Sequence, residues 1–252
     1  MIVLRPRAAL AALAALSLAG MASAADVRIA TEGAYAPWNY LDENGELAGY
    51  EIDLGNEVCA RAGVECEWVI NEWDSIIPNL QAGNYDVIMA GMSITDERME
   101  MIDFTEAYFP PDPSRYVALA GSEFDFDALS GAKIGAQGAT IQAGYAEENF
   151  SDGNTILTYE LPDQSIADLA AGNLDLIIAD GSYLEPIVEG SNGAIVFVGP
   201  DVNIGSGVGA GTRKDSADLN AAISQALASI KEDGTLEKLM VEYFGEASAF
   251  PE

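Results

Sequence analysis

Arg98 and Asp180 are the residues from which the chemistry of this chain can be read. Arg98 closes the stretch Ser93-Ile94-Thr95-Asp96-Glu97-Arg98, in which Thr95 is placed to cap a helix and two acids fall in its first turn. A cation so near a helix start works against the helix field by about 0.3–1 kcal/mol, so an anion is expected beside it. That anion is either Asp96, Glu97 or Asp103 of the chain itself or a ligand carboxylate gripped by the guanidinium fork. Asp180 ends an apolar strand, where it either caps a helix begun by Gly181 or offers its carboxylate to an ammonium. Thr140, after Gln137-Gly138-Ala139, reads as an N-cap, and the backbone donors of a helix start also attract anions. Tyr35 and Trp73 lie in loop segments and could sandwich an aliphatic or cationic group. Trp73 suits core packing equally well, whereas the small residues around Tyr35 predict that it is exposed. Glu32 can accept from a basic side chain, an amide or a backbone donor. Arg98 with Asp180 complements a zwitterion, held without covalent chemistry.

Composition narrows the alternatives. The chain has no His, which removes Ser-His-Asp and Cys-His nucleophile systems and the usual catalytic zinc sites; no metal or cofactor is expected. Lys and Arg number 11 against 41 Asp and Glu, a formal charge of -30 that repels nucleic acid and anionic membrane surfaces. The 2 Cys, Cys59 and Cys66, read as a structural disulfide if the chain is exported, and otherwise as separate buried thiols. Such a short loop would contribute on the order of 2 kcal/mol in the chain-entropy model. The beginning of the chain supports export: Arg5 and Arg7, the apolar run Ala8 to Gly20 and the small residues Ala22-Ser23-Ala24 make residues 1–24 a predicted signal peptide, cleaved outside the cytoplasm.

The elements that must position these residues announce themselves by repetition. Asn79-Leu80-Gln81-Ala82-Gly83-Asn84-Tyr85-Asp86-Val87-Ile88-Met89-Ala90-Gly91 is echoed by Asp168-Leu169-Ala170-Ala171-Gly172-Asn173-Leu174-Asp175-Leu176-Ile177-Ile178-Ala179-Asp180. Each copy reads as a helix end, a Gly that stops it, and a buried strand. Val27-Arg28-Ile29-Ala30-Thr31-Glu32-Gly33-Ala34 is likewise echoed by Ala132-Lys133-Ile134-Gly135-Ala136-Gln137-Gly138-Ala139. Two α/β units follow, and ligands of such sheets bind beyond the carboxyl ends of the strands, where Gly91 and Asp180 stand.

Pro110-Pro111-Asp112-Pro113 marks one crossing between lobes and Gly199 to Gly211 a second, which together make a two-segment hinge. Residues 25–111 with 200–252 are assigned to lobe 1 and residues 112–199 to lobe 2. The helices expected over 216–231 and 234–243 return to lobe 1. Further helices are expected over 53–61, after an Asp74 N-cap, and within 121–131.

Several segments together resemble the periplasmic solute-binding proteins of polar amino-acid ABC importers. They are Ala30-Thr31-Glu32-Gly33-Ala34-Tyr35-Ala36-Pro37-Trp38, Gly49-Tyr50-Glu51-Ile52-Asp53-Leu54, Trp73-Asp74-Ser75-Ile76-Ile77-Pro78, Met92-Ser93-Ile94-Thr95-Asp96-Glu97-Arg98, Asp103-Phe104-Thr105 and Lys231-Glu232-Asp233-Gly234-Thr235. The resemblance implies an α/β fold of the periplasmic binding protein type II kind, with two α/β lobes joined by a two-segment hinge and the ligand cleft between them. It implies that Arg98, Ser93 and Thr140 hold an α-carboxylate, and that Asp180 takes the ammonium with the Gly91 carbonyl and the Ser93 hydroxyl. Tyr35 and Trp73 would flank the side chain, with Glu32 near its tip. The Cys59 and Cys66 pair sits as in the lysine-arginine-ornithine and arginine receptors, and Thr31-Glu32-Gly33 with Ala36-Pro37-Trp38 is similar to the opine receptors. Ala90 and Gly91 depart from some basic amino-acid receptors, which carry Ser there. The ligand implied is a basic or polar amino acid or a derivative such as an opine. The partner implied is an inner-membrane ABC permease, and the protein itself is expected to be a periplasmic monomer. A periplasmic enzyme of the same fold, such as a cyclohexadienyl dehydratase with Glu32 as its acid, is the alternative; the Arg98 and Asp180 pair favours capture over turnover.

Overall fold

The computed structural model describes residues 26–245, so the predicted signal peptide lies outside the described residues. The chain begins with β1 (Asp26–Thr31), a small antiparallel sheet of β2 (Ala34–Tyr35), β3 (Asn39–Leu41) and β4 (Leu47–Ala48), and helix α1 (Tyr50–Ala62). Then come β5 (Glu65–Ile70), α2 (Ile76–Gln81), β6 (Val87–Ile88), α3 (Asp96–Met101) and β7 (Asp103–Phe104). The second set is β8 (Ser114–Leu119), β9 (Lys133–Gln137), α4 (Ile141–Phe150), β10 (Thr155–Tyr159), α5 (Pro162–Ala170), β11 (Leu176–Asp180), α6 (Gly181–Gly190) and β12 (Ile195–Val202). The chain closes with β13 (Gly211–Thr212), α7 (Ala217–Glu232) and α8 (Thr235–Phe244).

Two 5-stranded sheets result, ordered β5-β1-β6-β13-β7 and β10-β9-β11-β8-β12. In each, one strand lies parallel between two neighbours: β1 between β5 and β6, and β9 between β10 and β11. The chain crosses between the sheets after β7 and again after β12, whose last residue, Val202, still pairs with Ser114. β13 then joins the first sheet, antiparallel to both β6 and β7. α7 and α8 pack against α1, and Arg61 of α1 joins them through the Ser229 hydroxyl of α7, Asp233 between the two and the Thr235 hydroxyl of α8.

The echo in sequence is an echo in hydrogen bonds. Asp86 accepts from the Arg28 N–H at 3.0 Å, and Asp175 accepts from the Lys133 N–H at 2.8 Å. Asn84 donates its side-chain amide to Asn79, and Asn173 donates to Asp168, at 3.1 Å in both copies. Gly83 and Gly172 both take positive φ, 79° and 74°, at the helix stop. Each carboxylate therefore pins the first turn of its repeat strand to the preceding parallel strand, which carries the ligand-side loop.

Local differences from expectation have local causes. α1 begins at Tyr50 rather than Asp53, because Tyr50, Ile52 and Leu54 are buried and the helix must start early enough to place them. Asp74 does not cap α2: residues 73–75 form a 3-10 turn first, which moves the N-cap to Ser75. Residues 121–131 form turns without a helix. Cys59 and Cys66 are joined, tying the end of α1 to β5.

Candidate ligand-binding site

A narrow cavity lies between the two sheets. It is lined by every residue singled out above: Glu32, Tyr35, Trp73, Gly91, Ser93, Arg98, Thr140 and Asp180. Ala90, Gln137, Ile141 and Gln142 complete the wall. The first set follows β1, β6 and the 3-10 turn, and the second follows β9 and β11, so both sheets aim their strand ends into one space.

Arg98 is 7% exposed in the first turn of α3, where the Thr95 hydroxyl accepts from its N–H at 3.2 Å. Its Nη1 donates to the Ser93 carbonyl at 2.8 Å, and its guanidinium carbon lies 5.2 Å from the Trp73 ring centroid. Among the described residues no carboxylate forms an ion pair with it; Asp103 pairs instead with Lys214. Burial lowers the Arg98 pKa to about 10, opposed by the fields of Asp180 and Glu97. An intrachain ion pair is thus not what answers the cation, and its remaining donors are available to a ligand.

Asp180 stands at the N-cap position of α6 and makes no side-chain capping bond. Its carboxylate accepts from the Tyr35 hydroxyl at 2.8 Å and from Gln142 Nε2 at 2.7 Å. Burial and the neighbouring Asp112 push its pKa up to about 7, against the pull of Tyr35, Arg98 and Gln142. Thr140 does cap its helix, accepting from the Ala143 N–H at 3.1 Å and donating to the Gln137 carbonyl at 2.7 Å, while still lining the cavity. Glu32 is 6% exposed and accepts from Gln137 Nε2 at 2.5 Å, and burial pushes its pKa up to about 7.

Tyr35 is buried, not exposed. Its ring stacks on Tyr183, 4.3 Å between centroids and 6° from parallel, and its hydroxyl reaches Asp180. The small residues around it in sequence leave room that Tyr183 of α6 and Asp180 at the end of β11 fill. Trp73 serves both readings: it packs on Ile76 and Leu80, lines the cavity, and donates its indole N–H to the Ala139 carbonyl at 3.1 Å. Gly91 holds φ 63°, a left-handed conformation that only Gly takes readily.

Gln142, Tyr183 and Asp112 escaped the sequence reading. Gln142 joins Asp180 to the Ser114 hydroxyl, and Asp112 in the crossover accepts from the Ser182 hydroxyl at 2.6 Å. The proline-rich run marks the crossover but not the half-buried acid within it.

Comparisons with known proteins agree with this geometry. Residues 27–246 match the model of the bacterial extracellular solute-binding proteins, family 3. The lysine/arginine/ornithine-binding periplasmic protein of Escherichia coli (strain K12) is 38% identical over 94% of this chain and 95% of its own. A crystal structure of a periplasmic protein of the histidine/glutamate/glutamine/arginine/opine-binding family from Silicibacter pomeroyi, in complex with lysine, superimposes with TM-score 0.83 at 50% identity, covering 89% of this chain and 100% of that one. An ancestral amino-acid-binding protein, a precursor of cyclohexadienyl dehydratase, is a more distant neighbour at 28% identity and TM-score 0.79, covering 87% of this chain and 95% of that one. Two facing α/β sheets, a cavity at their strand ends and a family match across the described residues lead to one conclusion: the chain belongs to the bacterial extracellular solute-binding proteins, family 3.

Proposed function

We propose that the protein captures an amino acid, basic or polar, or an amino-acid derivative such as an opine, and delivers it to an ABC permease in the membrane. The observation that carries this reading is that Arg98 and Asp180 line one cavity from opposite sheets without pairing with each other. In it, Arg98, Ser93 and Thr140 hold the α-carboxylate. Asp180 and the Gly91 carbonyl hold the ammonium, Tyr35 and Trp73 flank the side chain, and Glu32 stands at its tip. Ligand docks first on the wall from lobe 1, residues 25–111 with 200–252. Lobe 2, residues 112–199, then closes over it by hinge bending, and contacts from both lobes to one ligand favour the closed state. The permease recognises that closed form. Periplasmic location, supported by the names of the relatives, belongs to the same proposal, as do cleavage after residues 1–24 and a monomeric state.

Catalysis is not part of this reading: relatives at 33–38% identity are named as binding proteins, whereas the precursor of cyclohexadienyl dehydratase stands at 28%. The test is thermal shift and calorimetry against arginine, lysine, ornithine, histidine, glutamine, cystine, opines and ectoine. A basic or polar amino acid raises the melting temperature of the wild-type protein, and Arg98→Ala abolishes the shift while the circular dichroism spectrum stays unchanged. An Arg98→Ala variant with wild-type affinity overturns the carboxylate assignment.

A further inference from the structure

Glu51, in the first turn of α1, is a carboxylate with no solvent exposure, and it lies outside the cavity lining. A buried acid of this kind is tolerated only when its oxygens are fully engaged. Oε2 accepts from Asn39 Nδ2 at 2.7 Å, and Oε1 accepts from the Gly91 N–H at 2.7 Å and from the Tyr108 hydroxyl. Asn39 in turn accepts from the Gly33 N–H at 2.8 Å through its Oδ1. Tyr108 lies just before the first crossover, where its N–H donates to the Val208 carbonyl at 2.8 Å and its own carbonyl accepts from the Tyr50 hydroxyl at 2.9 Å.

Every partner of Glu51 is a donor, so the ionised carboxylate is the form that satisfies them together. Burial raises its pKa, and the bonds from Tyr108, Gly91 and Asn39 act against that rise. The groups so joined are not neighbours in sequence. Gly91 ends the loop after β6, and Gly33 sits between Glu32 and Tyr35 in the loop after β1. One side chain behind the wall therefore ties together both strand-end loops of the first sheet and the approach to the hinge.

We propose that Glu51, acting through Asn39, is a positioning residue for ligand binding: it holds the Gly91 peptide and the Glu32–Tyr35 loop at fixed separation, so that the docking wall of lobe 1 is set before lobe 2 closes. The proposal rests on the cavity being the ligand site. Hydrogen-bond polarity makes it specific. In Glu51→Gln the amide oxygen can keep Gly91 and Tyr108, but its –NH2 then meets the –NH2 of Asn39. Asn39 can turn its oxygen toward that group only by giving up Gly33. In Asn39→Asp two carboxylates face each other. The double variant E51Q/N39D exchanges the polarity of the pair and restores every bond: the amide donates to the new carboxylate, whose other oxygen still accepts from Gly33.

The experiment is calorimetry with L-lysine and L-arginine on wild type, both single variants and the double variant. Hydrogen exchange of the Gly33 and Gly91 amides is measured on the same proteins without ligand. Whether wild type binds either amino acid is settled before any variant is compared, so a failure of the cavity reading is seen separately. Each single variant binds about 10-fold or more weaker, E51Q also loses protection at Gly33, and the double variant returns to within about 3-fold of wild type on both measures. Ile223→Val, in the contact of α7 with the core, lowers the melting temperature and leaves affinity unchanged. Single variants that lose melting temperature but keep affinity, or a double variant as weak as E51Q, overturn the proposal.

Discussion

The segments 79–91 and 168–180 share one plan, helix stop, tether and buried strand, and they differ most tellingly at the last residue. Helix stop, asparagine bridge and aspartate tether agree bond for bond. At the end of the strand one copy has Gly91, whose peptide N–H is taken by Glu51, and the other has Asp180, whose side chain is taken by Tyr35 and Gln142. The first copy thus presents backbone to the cavity and the second a carboxylate, from equivalent places on opposed sheets. Scaffold and chemistry are separable here: the tethers decide where the strand ends lie, and the last residue decides what is offered there.

Substitutions at the ends and at the tethers should therefore give different signatures. The largest effect is expected for Asp180→Ala, which removes the anionic end of the site. Affinity for the amino acid found by thermal shift falls on the order of 100-fold or more, read by calorimetry, with the apo fold retained. A loss under about 5-fold would mean that Asp180 serves the helix and not the ligand.

pH should produce the next effect. Glu32 and Asp180 both have folded pKa values raised to about 7, so each binds its proton more tightly folded than unfolded. Their contribution to stability is full below the unfolded values and is lost as pH rises through about 7. The unliganded melting temperature falls between about pH 5 and 8, and Glu32→Gln makes the fall shallower. Because a ligand ammonium needs the ionised acid, the ligand-induced shift grows over the same window, and binding near pH 6 releases protons, measured by calorimetry in buffers of different ionisation enthalpy.

The tethers come third. Asp86→Ala costs about 2–3 kcal/mol in chemical denaturation, because Asp86 also meets the cations of Arg28 and Arg213. Asp175→Ala costs about 1 kcal/mol, since its described partners are backbone groups alone. Neither changes affinity beyond about 3-fold if tether and end are independent. Gly91→Ala is expected to be of the same size as the tethers in chemical denaturation, since the left-handed φ costs about 1–2 kcal/mol and the added carbon approaches the Tyr35 ring at 3.7 Å.

Much of this was legible in the sequence because it is local or periodic. Thr95 and Thr140 stand at their caps, both repeat strands form, and the residues nominated for ligand contact line one cavity. What escaped depends on partners distant in the chain. Tyr35 is buried by Tyr183 and Asp180, and the sequence beside it carries no trace of that cover. Gln137 at the end of β9 and Gln142 at the start of α4 look like ordinary polar residues until the facing acids Glu32 and Asp180 are brought to them. Glu51 lies in a segment that marks the family, yet its role depends on where Asn39, Gly91 and Tyr108 meet. Asp74 was misplaced as a cap because a 3-10 turn and an α-helix share the same start signals.

The central claim is that one dipolar molecule is gripped from both sheets, by Arg98 at one end and Asp180 at the other. A crystal structure of the protein with the amino acid that gives the largest thermal shift tests it most directly. The account predicts a carboxylate within about 3 Å of the Arg98 guanidinium and an ammonium within about 3 Å of the Asp180 carboxylate, in the same molecule. A ligand bound elsewhere, or in this cavity with either end turned away from its partner, would contradict it.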